Sequence, residues 1–165
     1  MKDMKRPYRT PGNVVLIPLS DGKYTYGRVI NAPLMAFYDL RSAEILPVEE
    51  VVKSRVLFKI WVMNSAISKH HWRVLGNLPL ENELIAVAEF YKWDMISKKF
   101  SVYEGDGQER PATLEECTNL ECAAVWSAEH VESRLEDHFA GRENKWVNSL
   151  KATTQFERGA QQKRA

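Results

Sequence analysis

The residues that most often perform chemistry are few in this chain, and their spacing does not favour it. Cys117 and Cys122 are five residues apart, which is not a zinc-knuckle spacing, and no paired His or Cys completes a tetrahedral set. His130 and His138 would share a helix face, but eight residues of helix separate them by roughly 12 Å along the axis, too far to hold one ion. The sequence therefore predicts reduced thiols, structural histidines and no metal or cofactor.

Short signatures of catalysis are also missing from the sequence. It contains no phosphate-binding loop G-x-x-x-x-G-K-[ST], no dinucleotide-binding G-x-G-x-x-G and no nucleophile elbow G-x-S-x-G. Carboxylates are plentiful, but neighbouring ones such as Glu115 and Glu116 are typical of a solvated helix face. We therefore expect a protein that is not an enzyme, and a hydrolase with an unrecognised site is the open enzymatic alternative.

An aromatic and basic pattern leaves another class of function open. Tyr24, Tyr26 and Arg28 alternate along a predicted strand and would share one face of it. Some small barrels stack nucleic-acid bases on such aromatic side chains beside an arginine. Ordinary packing of tyrosine in a sheet is the more common explanation of the same pattern. A small β-barrel that binds nucleic acid or a small ligand is therefore the alternative interpretation.

Composition favours a soluble globular protein. The 165 residues are 44% hydrophobic and 27% charged, and their formal net charge is +1, which excludes a disordered chain and a polybasic coat. Two cysteines are too few for a disulfide scaffold. No apolar segment resembles a signal peptide or approaches the roughly 20 residues of a membrane span. We expect a cytoplasmic protein that contacts neither membrane nor nucleic acid directly.

The charge is distributed unevenly along the chain. Residues 1–80 have a net charge of +6, residues 81–140 of −9 and residues 141–165 of +4. A surface of one sign attracts a partner of the other sign, although a solvated acidic face without a partner is the plainer explanation. The candidate contact residues are ten carboxylates of the central segment: Glu104, Asp106, Glu109, Glu115, Glu116, Glu121, Glu129, Glu132, Glu136 and Asp137.

The elements that position these side chains are predicted to be strands in the first two thirds of the chain and helices in the last third. Apolar runs and alternation predict seven short strands, at residues 14–19, 24–30, 34–38, 56–62, 72–75, 84–90 and 99–103. Asp21-Gly22 predicts a hairpin turn between the first two strands. Thr113 and Ser127 are predicted helix caps, and Gly141 is a predicted helix end.

This order of elements predicts an α+β, β-rich fold. We expect a twisted antiparallel sheet, or a partly open barrel, of six to seven strands with a C-terminal helical appendage. The whole chain, 1–165, is predicted to be a single domain. Its predicted parts are a basic N-terminal arm at 1–12, a β-rich core at 13–104, a mainly helical part at 111–152 and a frayed tail at 157–165.

Several strand segments follow one another in a familiar order. They are GNVVLIPL from Gly12, DGKYTYGRV from Asp21, FYD from Phe37, VLF from Val56 and WRVLG from Trp72. Together they resemble the immunity protein 26 family over roughly residues 10–90, and residues 113–141 resemble longer members. The resemblance implies a small bacterial antidote of a polymorphic-toxin or contact-dependent growth inhibition locus. Such a protein would bind and neutralise its cognate toxin domain, and we expect a monomer or a 1:1 complex.

The resemblance suggests a function for the acidic segment. The family's toxins are often nucleases, and a nuclease that binds phosphates tends to be basic around its cleft. Carboxylates can mimic phosphates, so the ten carboxylates are the predicted toxin contact, where they would occlude the active cleft. Charge reversal at Glu132, Glu136 and Asp137 together is predicted to slow association, most of all at low salt.

Overall fold

The computed structural model describes residues 10–69, 71–105 and 107–162. In chain order the strands are β1 (Asn13–Pro18), β2 (Tyr24–Asn31), β3 (Leu34–Tyr38), β4 (Val56–Val62), β5 (Arg73–Asn77), β6 (Phe90–Asp94), β7 (Lys99–Tyr103), β8 (Glu109–Ala112), β9 (Glu121–Cys122) and β10 (Val125–Trp126). The helices are α1 (Val48–Val51), α2 (Ser65–Ser68), α3 (Asn82–Ile85), α4 (Leu114–Cys117), α5 (Ala128–Phe139), α6 (Lys145–Ser149) and α7 (Ala152–Gln162).

The predicted α+β, β-rich class is confirmed, with a different strand count. The described residues form ten strands in two sheets, where the sequence predicts six or seven in one. Both sheets are mixed, because β10 pairs parallel to β4 and β9 parallel to β6. Among the described residues neither sheet closes into a barrel, because its two end strands do not pair with each other. Two of the additional strands, β9 and β10, have only two residues each, which leaves no apolar alternation to recognise in the sequence.

The chain divides into two compact units, each made of two chain segments. The first unit comprises the residues up to Ala86 together with Val125–Ala140. The second comprises Val87–Ala124 together with the residues from Gly141 onward. Residues 1–9 of the predicted basic arm and residues 163–165 of the predicted tail lie outside the described residues.

A six-stranded sheet, in the order β10-β4-β3-β2-β1-β5, is the centre of the first unit. The predicted hairpin of β1 and β2 is confirmed, and Gly22 takes the left-handed φ of 82° that the turn requires. Pro18 lies beyond the residues of β1 that pair with β5, so its missing N–H costs no ladder hydrogen bond on that side.

Side chains alternate between the two buried faces of this sheet. On one face, Tyr26 and Tyr38 pack with Val14, Leu16 and Val51 of α1. On the other face, Phe37 stacks against Phe58 of the neighbouring strand, with ring centroids 5.2 Å apart. The guanidinium of Arg134, in α5, lies 3.6 Å from the Phe58 ring centroid, so α5 covers this second face.

One predicted strand of this region is wrong. Residues 84–90 are not a strand, because α3 occupies Asn82–Ile85 and β6 begins only at Phe90. Leu84 is buried with Ile30 and Ala36, whereas Ile85 is exposed. The apolar run therefore does not form a continuous buried face. The sequence pattern alone does not distinguish these two arrangements.

The second unit contains a four-stranded sheet in the order β8-β7-β6-β9. Its core joins this sheet to α4 and α7 through five buried residues: Tyr91, Phe100, Val102, Cys117 and Ala152. The predicted cap of α4 is confirmed, since the Thr113 hydroxyl accepts a hydrogen bond from the Glu116 N–H. Residues 157–162 of the predicted frayed tail are helical, because α7 packs Phe156 against Trp93 of β6.

Candidate functional site

The ten candidate carboxylates fall in both units. Four of them belong to α5 of the first unit: Glu129, Glu132, Glu136 and Asp137. Five belong to the second unit: Glu104, Glu109, Glu115, Glu116 and Glu121. Asp106 lies outside the described residues. The structure thus assigns the candidate contact residues to two separate scaffolds, which the sequence did not indicate.

Helix α5 has the sequence features of a capped amphipathic helix. The Ser127 hydroxyl accepts a hydrogen bond from the His130 N–H, as predicted for an N-cap. Val131 and Leu135 are fully buried. Glu129, Glu132 and Glu136 are spaced three and four residues apart, so they share one side of the helix. With the adjacent Asp137 they form what we call the α5 acidic face.

An open cleft of about 370 Å³ lies beside the α5 acidic face, within the first unit. The turn after β1 forms one wall, and α5 forms the other. Six of its lining residues are Leu19, Ser20, His71, Glu129, Glu132 and Glu136. The cleft therefore brings three of the ten candidate carboxylates together around one concave surface.

Two carboxylates of the cleft are positioned by hydrogen bonds. Glu132 Oε1 lies 2.7 Å from His71 Nε2 and accepts a hydrogen bond of 3.0 Å from the Trp72 indole N–H. Glu136 Oε1 accepts one of 2.7 Å from the backbone N–H of Ser20. The bond between Ser20 and Glu136 joins the two walls of the cleft, and the contacts of Glu132 tie α5 to the residues just before β5. Sequence reasoning missed His71 and Ser20, because they lie 60 or more residues from the carboxylates they contact.

The far end of α5 is tied to the sheet by a second histidine–carboxylate contact. His138 Nε2 lies 2.9 Å from Asp39 Oδ1, and Arg55 donates a hydrogen bond of 2.6 Å to Asp39 Oδ2. The hydrogen bond with His138, and after it the one from Arg55, holds the pKa of the Asp39 carboxyl below its usual value. Asp39 therefore stays ionised in acid longer in the folded chain than in the unfolded one.

The variant Asp39→Asn should show a smaller loss of stability in acid than the wild type. A carboxyl with a lowered folded-state pKa contributes stability above its unfolded pKa of about 3.9, and the contribution disappears as the pH falls through the folded-state pKa. Because the contacts are partly exposed, Asp39→Asn should cost under about 1 kcal/mol at neutral pH. Urea unfolding of both proteins at about pH 7, 4 and 3 measures the difference. Equal acid sensitivity of the two proteins would contradict the expectation.

Ion pairs occupy three of the five carboxylates in the second unit. Arg110 donates to Glu104 at 2.9 Å and to Glu116 at 2.7 Å. Lys92 forms an ion pair with Glu109. These cations partly cancel the negative charge of this group, so its field at a partner is weaker than the sequence predicts.

The aromatic and basic pattern on β2 proves to be structural. Tyr24, Tyr26 and Arg28 share a face as predicted, but Tyr26 and Arg28 are fully buried. The Tyr26 hydroxyl is hydrogen bonded to Ser42 at 2.6 Å and accepts a hydrogen bond of 3.0 Å from the Leu46 N–H. Base stacking requires an accessible ring, so Tyr26 cannot provide it in this fold.

The cysteines are placed for packing. Cys117 and Cys122 are both free thiols of the second unit, and Cys117 is fully buried. Burial raises the pKa of both thiols, which keeps them protonated and weakly nucleophilic at neutral pH. Within the described ranges, no group of three His, Cys, Asp or Glu side chains could hold a metal ion. No helix in the described part of the chain is long and apolar enough to cross a membrane.

The structure is thus that of an α+β protein whose candidate site consists of surface carboxylates beside an open cleft. The family model of Immunity protein 26 matches residues 10–102, more than half of the chain. The chain therefore belongs to the immunity protein 26 family, as its strand segments suggest. Comparison with curated proteins and with solved structures finds no match.

Proposed function

We propose that this protein is an antidote, without catalytic activity of its own, that binds a basic toxin domain and occludes its active cleft. The family of immunity proteins supports neutralisation of a toxin in general. The negative charge of the α5 acidic face and its cleft supports a positively charged contact surface on the toxin. A nuclease is the toxin class that fits best, because an enzyme that binds phosphates needs a basic cleft.

The single observation that carries this proposal is the clustering of Glu129, Glu132 and Glu136 around one cleft. A rigid, concave, negative surface is suited to receive lysine and arginine side chains that would otherwise contact phosphates. Because Glu132 and Glu136 are held by other residues of the first unit, the surface is organised before a partner arrives. Such preorganisation lowers the entropic cost of binding.

The position of the candidate residues in the chain agrees with a role in partner recognition. All ten carboxylates lie after residue 102, outside the part that the family model matches. A surface that recognises one particular toxin is expected to differ between antidotes that share a scaffold. We propose the α5 acidic face as the main contact, and the carboxylates of the second unit as a weaker one because of their ion pairs.

The alternative function as a nucleic-acid or small-ligand module receives no support from the geometry. Its proposed ligand-binding residues were Tyr24, Tyr26 and Arg28, and the last two are fully buried. All the hydrogen-bonding nitrogens of Arg28 are directed at groups of the first unit. A purified protein that is not retained on heparin or single-stranded DNA at low salt would agree with this conclusion.

A growth assay tests the proposed function directly. The toxin domain encoded beside this gene should stop bacterial growth when expressed alone, and co-expression of this protein should restore growth. The two chains should also co-purify as a 1:1 complex. If growth stays arrested although this protein is soluble and folded, this protein is not the antidote of that toxin.

A further inference from the structure

His71 places a titratable ring in the wall of the cleft beside α5. Its Nε2 atom lies 2.7 Å from Glu132 Oε1, and about half of its side chain, 51%, remains exposed. Imidazole is the side chain that ordinarily changes its charge between about pH 5 and pH 8. The ring can therefore gain or lose a positive charge while it stays in contact with a carboxylate of the α5 acidic face.

Glu132 is held in place for this contact. The Trp72 indole N–H donates a hydrogen bond of 3.0 Å to the same Oε1 atom. Trp72 is itself only 3% exposed, and its ring packs edge-on against Phe37 with centroids 6.0 Å apart. The side chain of Glu132 is 15% exposed. A change of charge on His71 therefore acts on a carboxylate that cannot turn away without losing the hydrogen bond from the indole.

The charged groups that line the cleft with His71 are carboxylates of α5: Glu129, Glu132 and Glu136. The residues that the turn after β1 contributes to the lining carry no charge. Asp21, which also belongs to that turn, forms an ion pair of 3.5 Å with Arg41. A neutral His71 therefore leaves three negative charges around the cleft, and a protonated His71 cancels one of them.

The basic residues next to His71 in the sequence are not part of this lining. Lys69 and Arg73, each two residues away, are exposed and lie outside the lining that the described residues form. His70 is outside the described residues. Among the described residues that line the cleft, His71 is therefore the only one that can carry a positive charge.

An imidazolium at this position competes with a basic toxin for Glu132. A lysine or arginine of the toxin that enters the cleft meets three carboxylates when the ring is neutral, and an additional positive charge when the ring is protonated. Binding of the toxin therefore disfavours the protonated ring, so the complex holds fewer protons than the separate proteins. By linkage, the affinity decreases as the pH falls through the range in which the ring becomes charged. The imidazolium attracts Glu132, so acid in this range does not break their contact.

We propose that His71 is a pH-dependent switch of toxin affinity. The neutral ring leaves the cleft to a basic side chain of the toxin, whereas the protonated ring neutralises Glu132 and repels that side chain. The switch rests on the proposed function, because its ligand is the basic toxin domain. It adds regulation to that site: the antidote binds its toxin most tightly at neutral to slightly alkaline pH.

The variant His71→Gln tests the switch with the toxin domain encoded beside this gene. Glutamine keeps an uncharged hydrogen-bond donor near Glu132 and does not titrate. Isothermal titration calorimetry should show the wild-type Kd rising roughly 10-fold from about pH 8 to about pH 5.5, as expected for one added charge a few ångströms from a partly solvated cation. The Kd of His71→Gln should change less than about threefold over the same range. Groups of the toxin that titrate contribute to both measurements, so they cancel in the comparison.

The matched control is His138→Gln. His138 also contacts a carboxylate, with its Nε2 atom 2.9 Å from Asp39 Oδ1, but it lies outside the lining of the cleft. This variant should keep the pH dependence of the wild type. Calorimetry in two buffers of different ionisation enthalpy counts the protons released on binding, and at about pH 6.5 the wild type should release more than His71→Gln. His71→Asn removes the same charge with a shorter side chain and replaces His71→Gln if that variant does not fold.

The outcomes separate the switch from the proposed function. Equal pH dependence of the Kd in the wild type and in His71→Gln, with equal proton release, would overturn the switch and leave the antidote function intact. Loss of the pH dependence in His138→Gln as well would also overturn the switch, because the effect would then come from the docking of α5 and not from the charge in the cleft. Absence of toxin binding by the wild type at every pH would overturn both.

Discussion

Replacing Arg28 with leucine should lower the free energy of unfolding by about 3–5 kcal/mol, a large fraction of the stability of a chain of this size. Arg28 is fully buried in β2. Its Nε donates to the Gly12 carbonyl at 2.8 Å, and one terminal nitrogen donates to the Leu78 and Pro79 carbonyls at 2.7 and 3.0 Å. Leucine would leave these carbonyls without the donor they face.

The other terminal nitrogen of Arg28 adds two more partners. It donates to the Tyr38 hydroxyl at 3.0 Å and forms an ion pair of 3.1 Å with Glu81. Burial raises the pKa of Tyr38, and the hydrogen bond from Arg28 acts in the opposite direction. One guanidinium thus connects β2 and β3 to the segment that leads into α3. Lysine has one nitrogen on a flexible stem and cannot reach all of these groups, so Arg28→Lys should also destabilise the fold.

Urea unfolding of Arg28→Leu, Arg28→Lys and the wild type measures this effect. Arg41→Leu is the matched control, because Arg41 is partly exposed and pairs with Asp21 at 3.5 Å. It should cost under about 1 kcal/mol. A free energy of unfolding for Arg28→Leu within about 1 kcal/mol of the wild type would show that the guanidinium network contributes little.

Reversing charge on the α5 acidic face should slow association with the toxin at least 10-fold at low salt, and less as the salt concentration rises. The variant is Glu129→Lys/Asp137→Lys. It leaves Glu132 and Glu136 in place, because these two side chains bond α5 to other residues of the first unit and their reversal would also disturb that unit. The structure thus changes the set of residues to be reversed from the one that the sequence indicates.

The matched control reverses two carboxylates elsewhere in the first unit. Glu49→Lys/Glu50→Lys makes the same change in net charge on exposed residues of α1. Stopped-flow mixing with the toxin domain at low and at physiological ionic strength gives the association rates. If both double variants slow association equally, net charge and not the α5 acidic face directs the encounter. If neither variant does so, electrostatic attraction has no part in recognition.

Local signals in the sequence were sufficient for the elements that depend on neighbouring residues. Asp21-Gly22 predicted the β1–β2 hairpin, and Ser127 as a cap with Gly141 as a helix end predicted α5. The hairpin and α5 are confirmed, because a tight turn and a helix cap are each determined by the few residues that form them. The family resemblance rested on the same strands and is confirmed over residues 10–102.

Contacts between distant residues were beyond the reach of the same reasoning. The cleft requires His71 beside Glu132 and Ser20 beside Glu136, pairs separated by 61 and 116 residues. The burial of Arg28 is also unexpected, because arginine is almost never fully buried unless its charge is paired. The alternation of Tyr24, Tyr26 and Arg28 was therefore compatible with an exposed binding face as well as with a core.

The interrupted order of the two units has a consequence for synthesis on the ribosome. The first unit obtains β10 and α5 only after residues 87–124, which belong to the second unit, have been made. The second unit in turn waits for α6 and α7 at the end of the described chain. Neither unit can be complete while the other is still untranslated. A growing chain would therefore contain neither unit in complete form until α5 had been synthesised, and the second unit would stay incomplete until α7 had followed.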